Sequence, residues 1–128
     1  FPVNRHPFVY ALLRAVPRVD RGEAINVGAV LYCKPLRFLG CRTALDAERL
    51  RALDPAVDVT EVERALRAVE KACDGSAGGL SDDIGKRFHW LTAPRSTVVQ
   101  PGPVHTGVTA DPAAELDRLV RRLVLPPK

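Results

Sequence analysis

Residues 8–16, Phe-Val-Tyr-Ala-Leu-Leu-Arg-Ala-Val, gather aromatic and branched side chains into a short apolar run bounded by Pro7 and Pro17. A run of that length, closed by proline at each end, suits a buried β-strand better than a helix. A turn-rich loop over residues 17–22 follows, and residues 24–32, Ala-Ile-Asn-Val-Gly-Ala-Val-Leu-Tyr, repeat the pattern as a second strand. Lys34 and Pro35 interrupt it before a third strand at residues 38–43. The loops between these strands are short, which implies an antiparallel meander.

Beyond Thr43 the apolar spacing changes to a helical period. Asp46 is placed to cap a short helix reaching Leu53, and Thr60-Glu61-Val62-Glu63 reads as a capping box opening a longer one to about Cys73. Val62, Leu66, Val69 and Cys73 share one face, with Glu63, Arg64, Arg67, Glu70 and Lys71 outside it, as expected of a helix laid on a sheet. Residues 74–79 form a flexible connector, after which Ser81, with Asp82 and Asp83 in the first turn, predicts a third helix carrying Ile84, Phe88 and Leu91. Residues 97–100 predict another strand; Pro101 and Pro103 then force an extended excursion into residues 104–108, suited to a sheet edge. The last helix is the most strongly specified. Asp111 stands at its cap, Pro112 at its first position, and Leu116, Leu119, Val120, Leu123 and Val124 on one face, with Pro126 and Pro127 to stop it.

The expected architecture is therefore a single α+β domain over residues 1–128: two layers, an antiparallel sheet of about four strands with amphipathic helices packed on one face. A chain of 128 residues with 46% hydrophobic content can bury one continuous core. No apolar run is long enough to span a membrane, and residues 1–6 lack the basic-then-apolar layout of a signal peptide, so a cytoplasmic protein is expected. Cys33, Cys41 and Cys73 form no C-x-x-C pair and have no histidine at zinc-finger spacing. They are expected to be reduced and packed, with no metal and no cofactor. The net charge of +4 lies in the first half of the chain, where Arg14, Arg18 and Arg42 are among the excess. Such a surplus attracts nucleic acid, phosphate or an acidic protein, and equally describes a plain solvated surface.

Two polar clusters stand out against this background. Asn26 and Gly28 interrupt an otherwise apolar strand. An amide there either fastens a neighbouring element or offers hydrogen bonds to a ligand, with Gly28 admitting a close backbone. The second cluster is Arg95, Ser96, Thr97 and Gln100, followed by His105 and Thr106, on a segment stiffened by Pro94, Pro101 and Pro103. A guanidinium beside hydroxyls can grip an anion, and a histidine can move a proton. No phosphate-loop, nucleophile-elbow or zinc-protease pattern accompanies them, so anchoring of the loop competes with chemistry and no catalytic residue is assigned. His6 and His89 lack spaced metal partners, and Asp20 and Glu23 share a loop with Arg18 and Arg21 as an ion-pair turn would; Trp90 and the phenylalanines are too few for the stacking platforms of single-strand binders, and most are expected in the core.

With those residues in view, the chain resembles the bacterial family known as domain of unknown function 3037. The resemblance rests on Tyr10-Ala11-Leu12-Leu13-Arg14, on Arg21-Gly22-Glu23 leading to Asn26-Val27-Gly28, and on residues 91–97 continuing to Gln100. Val104-His105-Thr106-Gly107 and the Asp111-Pro112 helix complete it. What it implies is partnership, since members are small stand-alone proteins often encoded beside a HipA-like kinase; it carries no assigned activity. The expected function is a non-enzymatic accessory or binding module that contacts and modulates a protein partner, such as that kinase, through a sheet edge or an exposed helix face. The alternative is a phosphate- or nucleic-acid-directed protein, including a catalytic one, built on Arg95, Ser96 and His105. Convergence of Asn26, Arg95, Ser96 and His105 on one hollow would favour the alternative; side chains ending on internal backbone groups would favour the binding module.

Overall fold

In the computed structural model, which describes residues 4–126, the expected α+β class, the four-stranded antiparallel sheet and the packed helices are all present. Residues 1–3, part of the segment read for a signal peptide, and Pro127 lie outside the described residues. The strands are β1 (His6–Ala15), β2 (Ile25–Cys33), β3 (Phe38–Thr43) and β4 (Val99–Thr109), in the spatial order β3-β2-β1-β4 with every neighbour antiparallel. The helices are α1 (Ala47–Leu53), α2 (Val59–Asp74), α3 (Ile84–Leu91) and α4 (Pro112–Leu123).

The helices are divided between the two faces of the sheet, where the sequence reading gathers them on one. Ala29, Leu31 and Cys33 of β2 pack with Phe8 against Leu116, Leu119 and Val120 of α4. Val30 and Ala11 turn the other way, onto Ala72, Cys73, Phe88 and Leu91 of α2 and α3. Successive strand residues point to opposite faces, so a strand that is apolar at consecutive positions needs cover on both sides. Residues 27–31 of β2 are all buried.

A β-bulge adjusts which residues go where. Leu13 pairs with Gly28 but Arg14 pairs with Asn26, so Val27 is the extra residue in β2. The insertion reverses the alternation at that point. Val27 joins Leu13, Ala15, Leu50, Val62 and Leu66 on the α1–α2 side, while Asn26 is turned toward α4. Gly28 makes the tight passage possible, because a Cβ there would lie 2.7 Å from the Arg42 carbonyl oxygen and 3.2 Å from Leu13 Cδ1.

Residues 97–100 and 104–108 are not separate strands. Residues 99–100 and 104–108 belong to one edge strand, β4, while residues 97 and 98 precede it, and the strand carries an irregularity where Leu13 faces Pro101 and Ala11 already faces Val104. An extra residue in an edge strand lets the chain absorb its prolines without ending the ladder.

Two helix starts also differ from expectation. Asp58, not Thr60, caps α2 by accepting from the Glu61 amide at 3.1 Å, and Asp83, not Ser81, caps α3 by accepting from the Gly85 and Lys86 amides. In each case a carboxylate accepts the free N–H groups and places negative charge at the positive end of the helix. Ser81 instead accepts from the Asp83 amide, shaping the approach to the cap. Asp46 and Asp111 cap α1 and α4 as expected.

Arg87, partly buried, ties the connector together. Its guanidinium donates to the Cys73 carbonyl at 3.2 Å, near the end of α2, and to the Ser81 and Asp82 carbonyls. The last carbonyls of a helix have no partner within it, and a cation there also suits the dipole.

Gly28→Ala is expected to lower the unfolding free energy by about 2 kcal/mol, because the new methyl must displace backbone at the bulge. Gly78→Ala, where a Cβ meets nothing within 4 Å, is expected to stay within about 0.5 kcal/mol of the parent in the same urea titration.

Candidate functional site

The residues singled out by sequence fall at three separate places. Asn26 lies under the end of α4, where its side-chain amide donates to the Leu123 carbonyl at 2.9 Å. That carbonyl belongs to the last turn of the helix and lacks an intrahelical donor, so the amide anchors α4 to the sheet.

The second place is the turn leading into β4. Arg95 donates through Nε to the Ala93 carbonyl at 3.3 Å and through Nη2 to the Trp90 carbonyl. The same guanidinium lies 4.7 Å from the centroid of the Trp90 ring. A cation over an indole face is attracted by the ring's negative face, and the two carbonyl bonds fix the guanidinium there. Thr97 donates to the Val99 carbonyl at 2.7 Å, and Gln100 donates back to the Thr97 carbonyl at 2.9 Å. Ser96 is exposed at the tip of this turn.

The third place is the middle of β4. His105, exposed, faces Tyr10 across the ladder and lies against its ring, with centroids 5.3 Å apart. Thr106 borders a groove of about 400 Å³ between α4 and the sheet, where Tyr10, Arg118 and Arg122 are also found. Arg118 is held there by Glu115.

Arg95 and His105 therefore do not converge, and the side chains of Asn26, Arg95, Thr97 and Gln100 end on backbone carbonyls. Of the basic residues in the first half, Arg18 approaches Asp54 at 3.8 Å and Arg42 pairs with Asp117 at 2.7 Å. Arg21 pairs with Glu23 at 2.5 Å as the ion-pair turn requires, and this hydrogen bond holds the exposed Glu23 carboxyl below its ordinary range. Three of the nine basic side chains up to Arg51 thus have an acidic partner, so the charge of this half is partly neutralised locally.

The thiols are packed groups. Cys33 and Cys73 are buried, and Cys41 packs against the cluster containing Cys73. Its hydrogen bond with Cys73, together with burial, pushes the Cys41 thiol up, so it stays protonated at neutral pH and makes a poor nucleophile. Among the described residues no group of three or more His, Cys, Asp or Glu side chains is arranged to hold a metal ion, and no helix is long and apolar enough to cross a membrane.

Sequence reasoning placed Trp90 among residues expected mostly in the core, and there the structure differs. Phe88 and Leu91 of α3 are buried, whereas Trp90 is 48% exposed. Beside it Ala65, Ala68 and Val69 of α2, with Thr97 and Val99, shape a shallow hollow of about 210 Å³. The available signal was the spacing of Phe88 and Leu91, which leaves Trp90 off their stripe.

The model of a family described as "Protein of unknown function (DUF3037)" matches residues 10–124. No curated protein and no solved structure matches the chain.

Asn26→Ala is expected to lower stability by about 1 kcal/mol by releasing the end of α4, a hydrogen bond whose freed carbonyl water can reach in part. Hydrogen exchange should locate the loss at the last turn of α4, and uniform loosening of α2 and α3 would contradict this role.

Proposed function

The chain belongs to the DUF3037 family, and on that premise we propose that it is a non-enzymatic binding module that docks a protein partner on the surface around Trp90 and Arg95. One observation carries the reading: a half-exposed indole held under a guanidinium whose position is fixed by two backbone carbonyls. Tryptophan and arginine are the side chains most enriched where protein interfaces gain their binding energy. Fixing both before contact reduces the entropy lost on docking. Ala65 and Ala68 keep the neighbouring surface low, so a partner's apolar side chain can lie against the indole.

The same reading explains why the polar residues show no convergent chemistry. Thr97 and Gln100 fasten the turn beside the surface, Asn26 fastens α4 elsewhere, and the surface itself is carried by Trp90 and Arg95. The HipA-like kinase implied by the family resemblance is the partner to try first. A module of this kind would modulate the kinase by occupying one of its surfaces, with no reaction of its own.

Co-expression with a HipA-like kinase tests both parts. The expected result is a complex that survives purification and is weakened at least tenfold by Trp90→Ala and several-fold by Arg95→Ala, on the scale of interface hot spots. Both variants are expected to stay within about 1 kcal/mol of the parent's stability, since Trp90 is half exposed and Arg95 only partly buried. Failure to co-purify together with unchanged kinase activity across a concentration series overturns the kinase as partner. A complex indifferent to Trp90→Ala overturns the surface.

A further inference from the structure

β4 is the outer strand of the sheet, and residues 104–109, Val-His-Thr-Gly-Val-Thr, carry no Asp, Glu, Lys or Arg. Edge strands commonly avoid unwanted pairing through charged side chains or proline. Here proline protects only the first part of β4, at positions 101 and 103, while Val104 and Val108 stand 47% and 37% exposed. The other edge differs: β3 is packed by α2 on one face and α4 on the other, and it carries Arg42.

The phase of the β1–β4 ladder fixes which peptide groups are free. The Val16 amide donates to the Val98 carbonyl at 2.7 Å, and residues along antiparallel strands alternate between bonding one neighbour and the other. Counting back along β1, Ala11, Val9 and Pro7 turn their peptide groups away from β4. Their partners Val104, Thr106 and Val108 correspondingly direct theirs to the open side of the sheet. Pro101, opposite Leu13, has the same phase, so its missing N–H leaves the β1 ladder intact.

The open segment is self-complementary about Thr106, with valine two positions before it and two after. We propose that β4 pairs edge to edge with β4 of a second copy of this chain, antiparallel, with the two-fold axis at Thr106. Thr106 then faces Thr106 of the second copy, and each Val104 faces Val108 of the other chain. These are the residues whose peptide groups are free, so each meets its counterpart as a hydrogen-bonded pair. Threonine pairs and β-branched apolar pairs are favourable cross-strand neighbours. On the opposite face, His105 meets Gly107 of the second copy, where that copy's Phe8 ring occupies the space a Cβ would take. A pairing about one symmetry axis closes as a dimer and leaves no free β4 edge for further growth.

The surface is distinct from Trp90, so the two proposals stand or fall separately. Sedimentation of the wild-type chain over a wide dilution series is expected to show the mass rising from one chain to two. Thr106→Pro removes an outward N–H while sparing the β1 ladder, and the Val104→Glu, Val108→Glu double variant sets acids against acids. Both are expected to remain monomeric, with melting close to the parent's, whereas Trp90→Ala dimerises normally. If Thr106→Pro fails to fold, the double variant and cross-linking decide. At the axis the Cα atoms of facing residues lie about 5.5 Å apart, within disulfide reach. Thr106→Cys is therefore expected to yield a covalent dimer with oxidised glutathione, and His105→Cys is not. A wild-type chain that stays monomeric throughout, a dimer that survives the double variant, or equal cross-linking at both positions overturns the proposal.

Discussion

Burial of β2 on both faces is the constraint from which the remaining architecture follows. A strand with apolar side chains on each side cannot leave either side to water, so the chain must supply two helical layers to a sheet of only four strands. The bulge at Val27 sharpens the demand, sending Val27 to the α2 side and leaving Asn26 to meet α4. Gly28 admits this crossing because the neighbouring Arg42 carbonyl occupies the place of a side chain. Without that crossing, the amide of Asn26 would face the apolar layer beneath α2, where an unpaired polar group is costly.

Committing helices to both faces of β2 and β3 leaves less cover for β4. α4 packs on β2 and β3, and α2 reaches β4 near Val99, where their side chains share the hollow beside Trp90. The Trp90–Arg95 pair and the open strand edge consequently lie beside the start of β4 and along its second half, and not over the centre of the sheet. Their locations follow from where the core is built.

The elements legible in the sequence were those written in local chemistry. Asp111-Pro112 and the apolar stripe behind them specify α4 without tertiary information, and residues 38–43 form β3 with the expected bounds. The helix starts at Asp58 and Asp83 were harder because serine, threonine and aspartate stand close together and each can cap; geometry decides among them. Division of the helices between faces follows from the consecutive apolar residues of β2, whereas the faces taken by Asn26 and Val27 depended on the bulge, a one-residue register shift with no local signature beyond Gly28. The candidate site divided similarly: the composition of residues 95–106 was visible, but not that Asn26, Arg95, Thr97 and Gln100 direct their polar atoms to backbone carbonyls. Trp90 was hidden by its own hydrophobicity, which in a sequence counts toward the core.

Trp90 is the sole tryptophan of the chain, and its indole is half in water beneath a guanidinium. Indole emission responds to the polarity and charge next to the ring, so the fluorescence of this protein is the signal of one surface locus, undiluted by any buried indole. Titration by a molecule that covers this locus moves the emission toward shorter wavelength, and one that attaches elsewhere leaves it in place, so the unlabelled chain carries its own optical probe of where it is touched.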